Sequence, residues 1–514
     1  MDKARFLWVD DEMELMKPYV LFLEEKGYVT ECAGNGHEAI EMCQAKAYDI
    51  IFLDEHMPGL SGLETLTRLH RFIPHVPVVM VTKSEDEGIM NQAIGKKIAD
   101  YLIKPVNPHQ VLLSIKKLLE KKRLVVEDAA TRYREAMARL SQEISDGCTG
   151  DDWSAVHREL VYWELELEST QHPMREMVAM QKTEANQGFS KFVQKKYEQW
   201  VHGAPGRPVM SPDLFETYLF PMLDKGEKLF FILIDNFRFD QWRSVKESVS
   251  TLFSYKEDLY FSILPTATPY ARNSLFSGLM PEELSLRYPE LWVDESDDEG
   301  KNQLEEELVR SHLLRSGRKH SFSYHKVNSN QEGTRLLSRF SELEHKDLNV
   351  VVFNFMDMLS HTRTESKMLR ELMVDEAAYR SLTRSWFIRS PLDQFLKTIA
   401  SRGYRAVLTT DHGAIRVKKG VKVIGDKETN SNPRYKLGKN LAYDPEKVYA
   451  VHRPENVKLP APNVSTRYIF ARDSDFLVYP NHFNQYVSFY ENSFQHGGIS
   501  LEEMVIPFVT LTPK

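Results

Sequence analysis

The chain has 514 residues and a formal net charge of -8, from 66 basic and 74 acidic side chains. That length exceeds what one hydrophobic core holds and predicts two or three domains; the acid excess argues against a nucleic-acid surface spread over the whole molecule and leaves room for a local basic patch. Cys32, Cys43 and Cys148 form an odd set without CxxC spacing, which suggests neither a disulfide framework nor a thiolate zinc site and fits a reducing cytoplasm. No apolar run is long enough to cross a bilayer or serve as a signal peptide, so a cytoplasmic protein without membrane insertion is expected.

Residues 5 to 10 and 49 to 54 are short apolar runs ending in acid, and Val76 to Thr82 and Tyr101 to Lys104 complete a series of strands separated by helical patterns. Alternating β and α segments predict a doubly wound α/β domain with a parallel sheet. Its ligands belong beyond the carboxyl ends of the strands, where Asp10, Asp11, Asp54, Thr82 and Lys104 fall. From about 108 to 202 the pattern is helical, with Trp153, Val156, Leu160, Trp163 and Leu167 on one face and Phe189, Phe192, Val193 and Trp200 on another. Gly147 and Gly150, then Gln171-His172-Pro173, break it into three helices, read as a bundle joining two domains, with a coiled-coil arm as the alternative. Gly203-Ala-Pro-Gly-Arg-Pro208 is a turn-rich hinge. Beyond it, Lys228 to Asp235, Asn349 to Asp357 and Tyr404 to Asp411 are apolar runs that each end in Asp, which predicts a second, larger α/β sheet. Stretches 283 to 345 and 413 to 475 read as insertions over its site. The second holds Arg416, Lys418, Lys419, Lys422, Lys427, Arg434 and Lys436, either a solvated loop or a clamp for substrate phosphates.

Asp10, Asp11 and Asp54, brought together by parallel strands, offer the hard oxygen ligands that Mg²⁺ prefers. Asp54 can then take up a phosphoryl group as a nucleophile, while the Lys104 ammonium and the Thr82 hydroxyl bind the new oxygens. Together with Leu53-Asp54-x-x-Met57-Pro58-Gly59-x-x-Gly62 and Lys104-Pro105, these residues resemble the receiver domain of two-component response regulators over residues 1 to 122. The resemblance implies phosphorylation of Asp54 by a sensor histidine kinase, a metal contact from the backbone carbonyl of His56, and Tyr101 as the switch aromatic. Gly95-Lys-Lys-Ile-Ala-Asp100 is longer than the family's usual segment ahead of that tyrosine.

In the carboxy-terminal half, Asp357 and His361 can hold one cation and Asp411-His412 can do so at a neighbouring strand end. Oxygen and imidazole ligands without sulfur favour Zn²⁺, with Mn²⁺ or Fe as alternatives. The run Pro265 to Glu282, with Ile-Asp235 before it and Phe-Gln-His496-Gly-Gly-Ile-Ser after, resembles the alkaline phosphatase superfamily, close to its nucleotide pyrophosphatase/phosphodiesterase and PglZ branches, over residues 205 to 514. Carried over by motif, Asp235, Thr268, Asp411 and His412 surround one zinc ion, and Asp357, His361 and His496 the other. Thr268 is the implied nucleophile, activated by a metal because a free hydroxyl is a poor one at neutral pH. Arg272 and Asn273, with Arg238 a weaker candidate, are expected to bind the equatorial phosphoryl oxygens. The chain departs from the pyrophosphatase pattern in lacking an Asn within Glu283 to Trp292, and Thr268 excludes the sulfatase branch.

Receiver, helical linker over 123 to 204 and PglZ-like domain in this order resemble a family of response regulators linked to type IX secretion in Bacteroidetes. The resemblance implies hydrolysis of phosphodiesters in cyclic and linear oligonucleotides, with a PorY-type kinase, a sigma factor and secretion components as partners. Phosphorylation would favour a symmetric homodimer. The alternative is a phosphorylation-gated scaffold that binds a sigma factor or secretion component and keeps its metal site for structure. Retention of a nucleophile at Thr268 favours the enzyme.

Overall fold

The computed structural model describes residues 4–83, 98–145, 149–168, 174–293, 303–426 and 429–514. Gly147, Cys148, Gln171-His172-Pro173, Lys427 and the Gly95-Lys96-Lys97 part of the segment ahead of Tyr101 lie outside the described residues. The chain divides into two compact units, Met1–Thr131 and Arg132–Lys514.

In the first unit, β1 (Arg5–Val9), β2 (Val29–Ala33), β3 (Ile50–Leu53), β4 (Val78–Thr82) and β5 (Asp100–Ile103) form a parallel sheet in the order β2-β1-β3-β4-β5. β3 and β4 are buried along their whole length, because helices cover both faces of the sheet, and their sequences are therefore unbroken apolar runs. Leu7, Val9, Leu53 and Met80 pack into one core layer, and Phe6, Trp8, Phe52 and Val81 into the other. Chain order reverses between β1 and β3, and the crevice at this switch point receives Asp10 and Asp54. The last helix begins at Pro108 and runs to Ser145, well past the boundary expected at 122, with no glycine or proline inside it to stop it.

In the second unit, helices Gly150–Glu168 and Met174–Val201 bury the expected stripes of Trp153, Val156, Leu160, Trp163 and Leu167 and of Phe189, Val193 and Trp200. They are not a free-standing bundle. Asn186 donates to Glu502 at 3.0 Å and accepts from the Leu501 N–H at 2.7 Å, and the Tyr197 hydroxyl accepts from the Leu264 N–H at 2.7 Å, so the helices share one unit with the α/β fold that follows.

That fold is a six-stranded sheet. β6 (Leu229–Ile234), β7 (Phe253–Phe261), β8 (Phe322–Val327), β9 (Leu348–Phe353), β10 (Arg405–Thr409) and the final strand Val505–Pro513 lie in the order β7, Val505–Pro513, β10, β6, β9, β8. β10, β6, β9 and β8 are parallel, and Val505–Pro513 runs antiparallel to both of its neighbours, β10 and β7. The central strands β10, β6 and β9 are those of the three runs that end in acid. Stretch 283–345, expected as an insertion, is instead part of the framework: it supplies β8 and the helix Glu305–Arg315, which packs against the helix Thr268–Ser277. As an edge strand, β8 is half-buried, so its Phe-Ser-Tyr-His-Lys-Val lacks the apolar density of its neighbours. Stretch 413–475 does stand outside the main sheet. Lys419–Ile424 pairs with Ala442–Tyr443 and Asp475–Val478, and Tyr435–Gly438 and Val448–Val451 flank Arg467–Ala471. No helix among the described residues is long and apolar enough to cross a membrane.

Candidate active site

In the first unit, Asp10, just after β1, and Asp54, just after β3, are buried, while Asp11 is exposed; one oxygen from each lies within 4.8 Å of the others. Lys104 Nζ contacts Asp10 Oδ2 at 2.6 Å and Asp54 Oδ2 at 2.8 Å. Burial alone would lower the lysine pKa, yet these two carboxylates hold it above its ordinary value. Asp54 Oδ1 is buried without a hydrogen-bond partner, an orphaned acceptor that a hard cation would satisfy. Thr82 is buried at the end of β4, and the His56 ring approaches its hydroxyl at 3.3 Å. Tyr101 lies half-buried in β5 against the core layer that contains Met80.

In the second unit, six of the seven expected metal ligands, all but Thr268, fall into two groups, each able to converge ligand atoms within 4.8 Å: Asp235, Asp411 and His412, and Asp357, His361 and His496. Asp235 follows β6 and Asp411 follows β10. Asp357, expected at a strand end, sits in the first turn of the helix Phe355–Glu365, because β9 stops at Phe353. His361 is four residues on and thus on the same helical face, with its Nε2 3.5 Å from Asp357 Oδ1. His496 Nε2 approaches the same oxygen at 3.4 Å. The groups adjoin, since the His412 and His496 rings stack with centroids 4.3 Å apart.

Thr268 opens the helix Thr268–Ser277, whose dipole favours an incoming anion, although Pro269 has no N–H and those of Tyr270 and Ala271 donate to the Ala267 carbonyl. Its hydroxyl is 3.1 Å from His412 Nε2 and 3.5 Å from Asp235 Oδ1. The outer ring nitrogens are committed: His412 Nδ1 pairs with the Gly413 carbonyl at 3.2 Å and His496 Nδ1 with the Thr266 carbonyl at 3.1 Å. Both Nε2 atoms are then left to act as ligands. Burial pushes the His412 pKa down to about 4, keeping it in the neutral form that binds metals. Burial raises Asp235 well above its ordinary value despite the relief from Arg272, and the nearby Asp411 and Asp357 add to the rise. Asp357 is held well below its ordinary value against burial by His361 and His496. A crowded carboxylate set and a buried His496 Nε2 without a hydrogen-bond partner fit divalent ions of the zinc type.

Two candidate oxygen-binding residues are placed differently from expectation. Arg272 Nε donates to Asp411 Oδ2 at 2.9 Å, its Nη2 contacts Asp235 and its Nη1 contacts Glu305 at 3.2 Å. The guanidinium therefore braces metal-ligand carboxylates from behind and presents no open face to a phosphoryl group. Arg238 is likewise committed to Asp240 and Glu376. Asn273 retains a buried Oδ1 without a partner. The basic stretch is neither a solvated loop nor one clamp: Lys418, Lys419 and Lys422 are exposed, while Arg434 is buried on Glu503 and Lys436 is buried over the Tyr479 ring.

Several residues with no motif of their own position the site. Asn236, at φ 58°, donates to Asp357 Oδ1 at 3.3 Å and to Ser360 at 3.1 Å, while its N–H reaches Asp411 Oδ1 at 3.4 Å, so it touches ligands of both groups. Thr266 accepts from the Gly497 N–H at 2.9 Å and donates to the Gly498 carbonyl at 3.0 Å. Glu503 accepts from the Gly498 N–H at 2.9 Å and holds Arg434. A left-handed residue straight after a ligand Asp was the one usable signal, and only for Asn236.

Three family descriptions match the chain: the BREX system PglZ alkaline phosphatase-like domain over residues 214–511, the PorX response regulator linker domain over 123–201, and the response regulator receiver domain over 6–116. Curated relatives align with the receiver part. The transcriptional regulatory protein ResD of Bacillus subtilis is 33% identical over 120 residues, which are 23% of this chain and 50% of ResD. SrrA of Staphylococcus aureus is 28% identical over 27% of this chain and 58% of its own length. The chain thus spans between half and three-fifths of these two relatives. Among solved structures, CheY4 of Vibrio cholerae is 25% identical, with a TM-score of 0.22, over 23% of this chain and 99% of CheY4. A CheY-like receiver domain from Methanospirillum hungatei is 28% identical, with a TM-score of 0.23, over 24% of this chain and 98% of its own.

Proposed function

Because the chain belongs to the PglZ alkaline phosphatase-like family and carries a response-regulator receiver and a PorX-type linker ahead of that domain, we propose that it is a phosphorylation-controlled phosphodiesterase. In this reading a PorY-type histidine kinase phosphorylates Asp54 in the presence of Mg²⁺, and a two-zinc site hydrolyses cyclic or linear oligonucleotides in the service of type IX secretion. A sigma factor and secretion components are its downstream partners, and phosphorylation favours the homodimer. The observation that carries the reading is the Thr268 hydroxyl at a helix start, beside the adjoining Asp235-Asp411-His412 and Asp357-His361-His496 groups.

Asp235, Asp411, His412 and Thr268 would hold one ion and Asp357, His361 and His496 the other. Bound there, divalent cations supply Lewis-acid stabilisation of an alkoxide and of the phosphoryl oxygens. Thr268 Oγ1 attacks phosphorus and the ester oxygen leaves as one alcohol; water then cleaves the phosphothreonine, releasing the phosphomonoester and restoring the hydroxyl. Arg272 fixes the Asp235 and Asp411 carboxylates, and the Asn273 amide faces the transferring group.

The test is hydrolysis of bis-p-nitrophenyl phosphate by the zinc-loaded wild type and by Thr268→Ala, with metal content measured in both. The expected result is a loss of about 10³-fold or more in the variant at unchanged zinc content of the second group. Equal rates, or no hydrolysis by a zinc-loaded wild type, would favour the scaffold instead.

A further inference from the structure

Five arginines are buried among the described residues. Four of them pair with carboxylates: Arg238 with Asp240 and Glu376, Arg272 with Asp235, Asp411 and Glu305, Arg380 with Glu164, Glu168 and Asp240, and Arg434 with Glu503. Arg363, 4% exposed, pairs with none among the described residues. Its Nε donates to the Met373 carbonyl at 3.0 Å, and the guanidinium lies over the Phe494 ring, 5.7 Å from its centroid. A guanidinium does not give up its proton in this environment, so burying it without a counter-charge is unfavourable.

Its neighbours make the imbalance larger. Ile415–Arg416 pairs antiparallel with Phe494–Gln495, which sets Arg416 directly opposite Phe494. Arg416 Nε is buried and without a hydrogen-bond partner. Arg370 belongs to the short helix that follows and ends just before Met373. The charges of Arg416 and Arg370 both lie close enough to act on Arg363. The location is specific: Arg363 is two residues past His361 on the same helix, and Phe494 is two residues before His496.

We infer that Arg363 and Arg416, with Arg370 beside them, form a pocket for a second phosphate next to the Asp357-His361-His496 group. The inference rests on the phosphodiesterase reading and narrows it: the substrate carries a phosphate besides the one attacked, as an oligonucleotide or a nucleoside bisphosphate does and a simple diester does not. Guanidinium forks bind phosphate bidentately, and the counter-charge that none of the described residues supplies arrives with the substrate.

Two chromogenic substrates that differ by one group test this, thymidine 5′-(p-nitrophenyl phosphate) with and without a 3′-phosphate. The wild type is expected to prefer the 3′-phosphorylated form by about tenfold or more in kcat/KM, through KM, as befits one charge-assisted contact pair. Arg416→Met should bring the ratio of the two close to one, and Arg416→Lys should keep part of it. The same ratio in wild type and Arg416→Met overturns the pocket. Inorganic phosphate as a competitor separates a pocket for free phosphate from one for a substrate group: inhibition lost in Arg416→Met, with no 3′-phosphate preference in the wild type, also overturns the inference. Should the wild type cleave neither substrate, the phosphodiesterase reading fails by itself. Calorimetric binding of thymidine 3′,5′-bisphosphate to the zinc-loaded protein then decides, since affinity about tenfold weaker in Arg416→Met supports the pocket and equal affinity refutes it.

Discussion

Lys436 is 1% exposed, donates to the Asn430 carbonyl at 3.0 Å and lies over Tyr479, with burial pushing its pKa from 10.5 down to about 7. The unfolded chain keeps this proton up to about pH 10.5 and the folded chain releases it near 7. Between those values the unfolded state binds more protons, so this residue makes stability rise with pH, and below pH 7 its full penalty is in force. Lys436→Met should therefore melt higher than wild type at pH 7, by an amount worth a few kcal/mol, on the order of what such a shift represents. The gap should narrow towards pH 10; a constant gap across that range in thermal melts would refute the assignment. In the sequence Lys436 reads as one more basic residue in a run, because nothing in its neighbours reveals which strand face is buried. Arg272 escaped a correct role for a related reason. The carboxylates it touches come from positions 235, 305 and 411, and no local pattern announces that they converge. Asp235 and Asp411 were legible as site residues because each follows a strand end, where α/β sheets place their ligands, while the grouping with Asp357, His361 and His496 came from the motif resemblance.

At the scale of elements, the turn from β3 into the helix Gly62–Leu69 is the tightest constraint around Asp54. A Cβ at Gly62 would stand 2.4 Å from the Asp54 carbonyl oxygen and 2.9 Å from the Glu55 Cα, so backbone must move to admit it. Gly62→Ala should lower receiver stability by roughly 1–3 kcal/mol, the usual range for overpacking, and reduce acyl-phosphate labelling of Asp54 by acetyl phosphate. Labelling at the wild-type rate would show that Asp54 tolerates the shift. The strands that carry the sites were readable from apolar runs, as full burial removes the polar alternation. Edge strand β8 was not, since half its surface is wet and its composition resembles a loop. The helix Pro108–Ser145 ends just before the glycine at 147 that was read as its break, and it runs through the domain boundary drawn at 122 because no stop signal lies there.

For the whole molecule, two candidate metal sites of different chemistry share one chain. The receiver acids offer oxygen only, and the groups of the second unit offer imidazole as well. A chelator that removes zinc but leaves Mg²⁺ in excess should thus abolish diester hydrolysis while Asp54 labelling by acetyl phosphate continues. Asp54→Ala should do the reverse to labelling and leave zinc content intact, and parallel loss of both activities under zinc chelation would contradict two separate sites. Within the second unit, the alcohol of Thr268 and the imidazole of His496 hang from one tether. Thr266 bonds the segment after His496 and receives its ring on the carbonyl, while Glu503 pins that segment, and Leu501 and Glu502 are gripped by Asn186 of the long helix Met174–Val201. The proposed nucleophile and ligand are therefore seated by the same few bonds, and a slip of that helix on the sheet would unseat both at once, which makes their placement an all-or-none assembly.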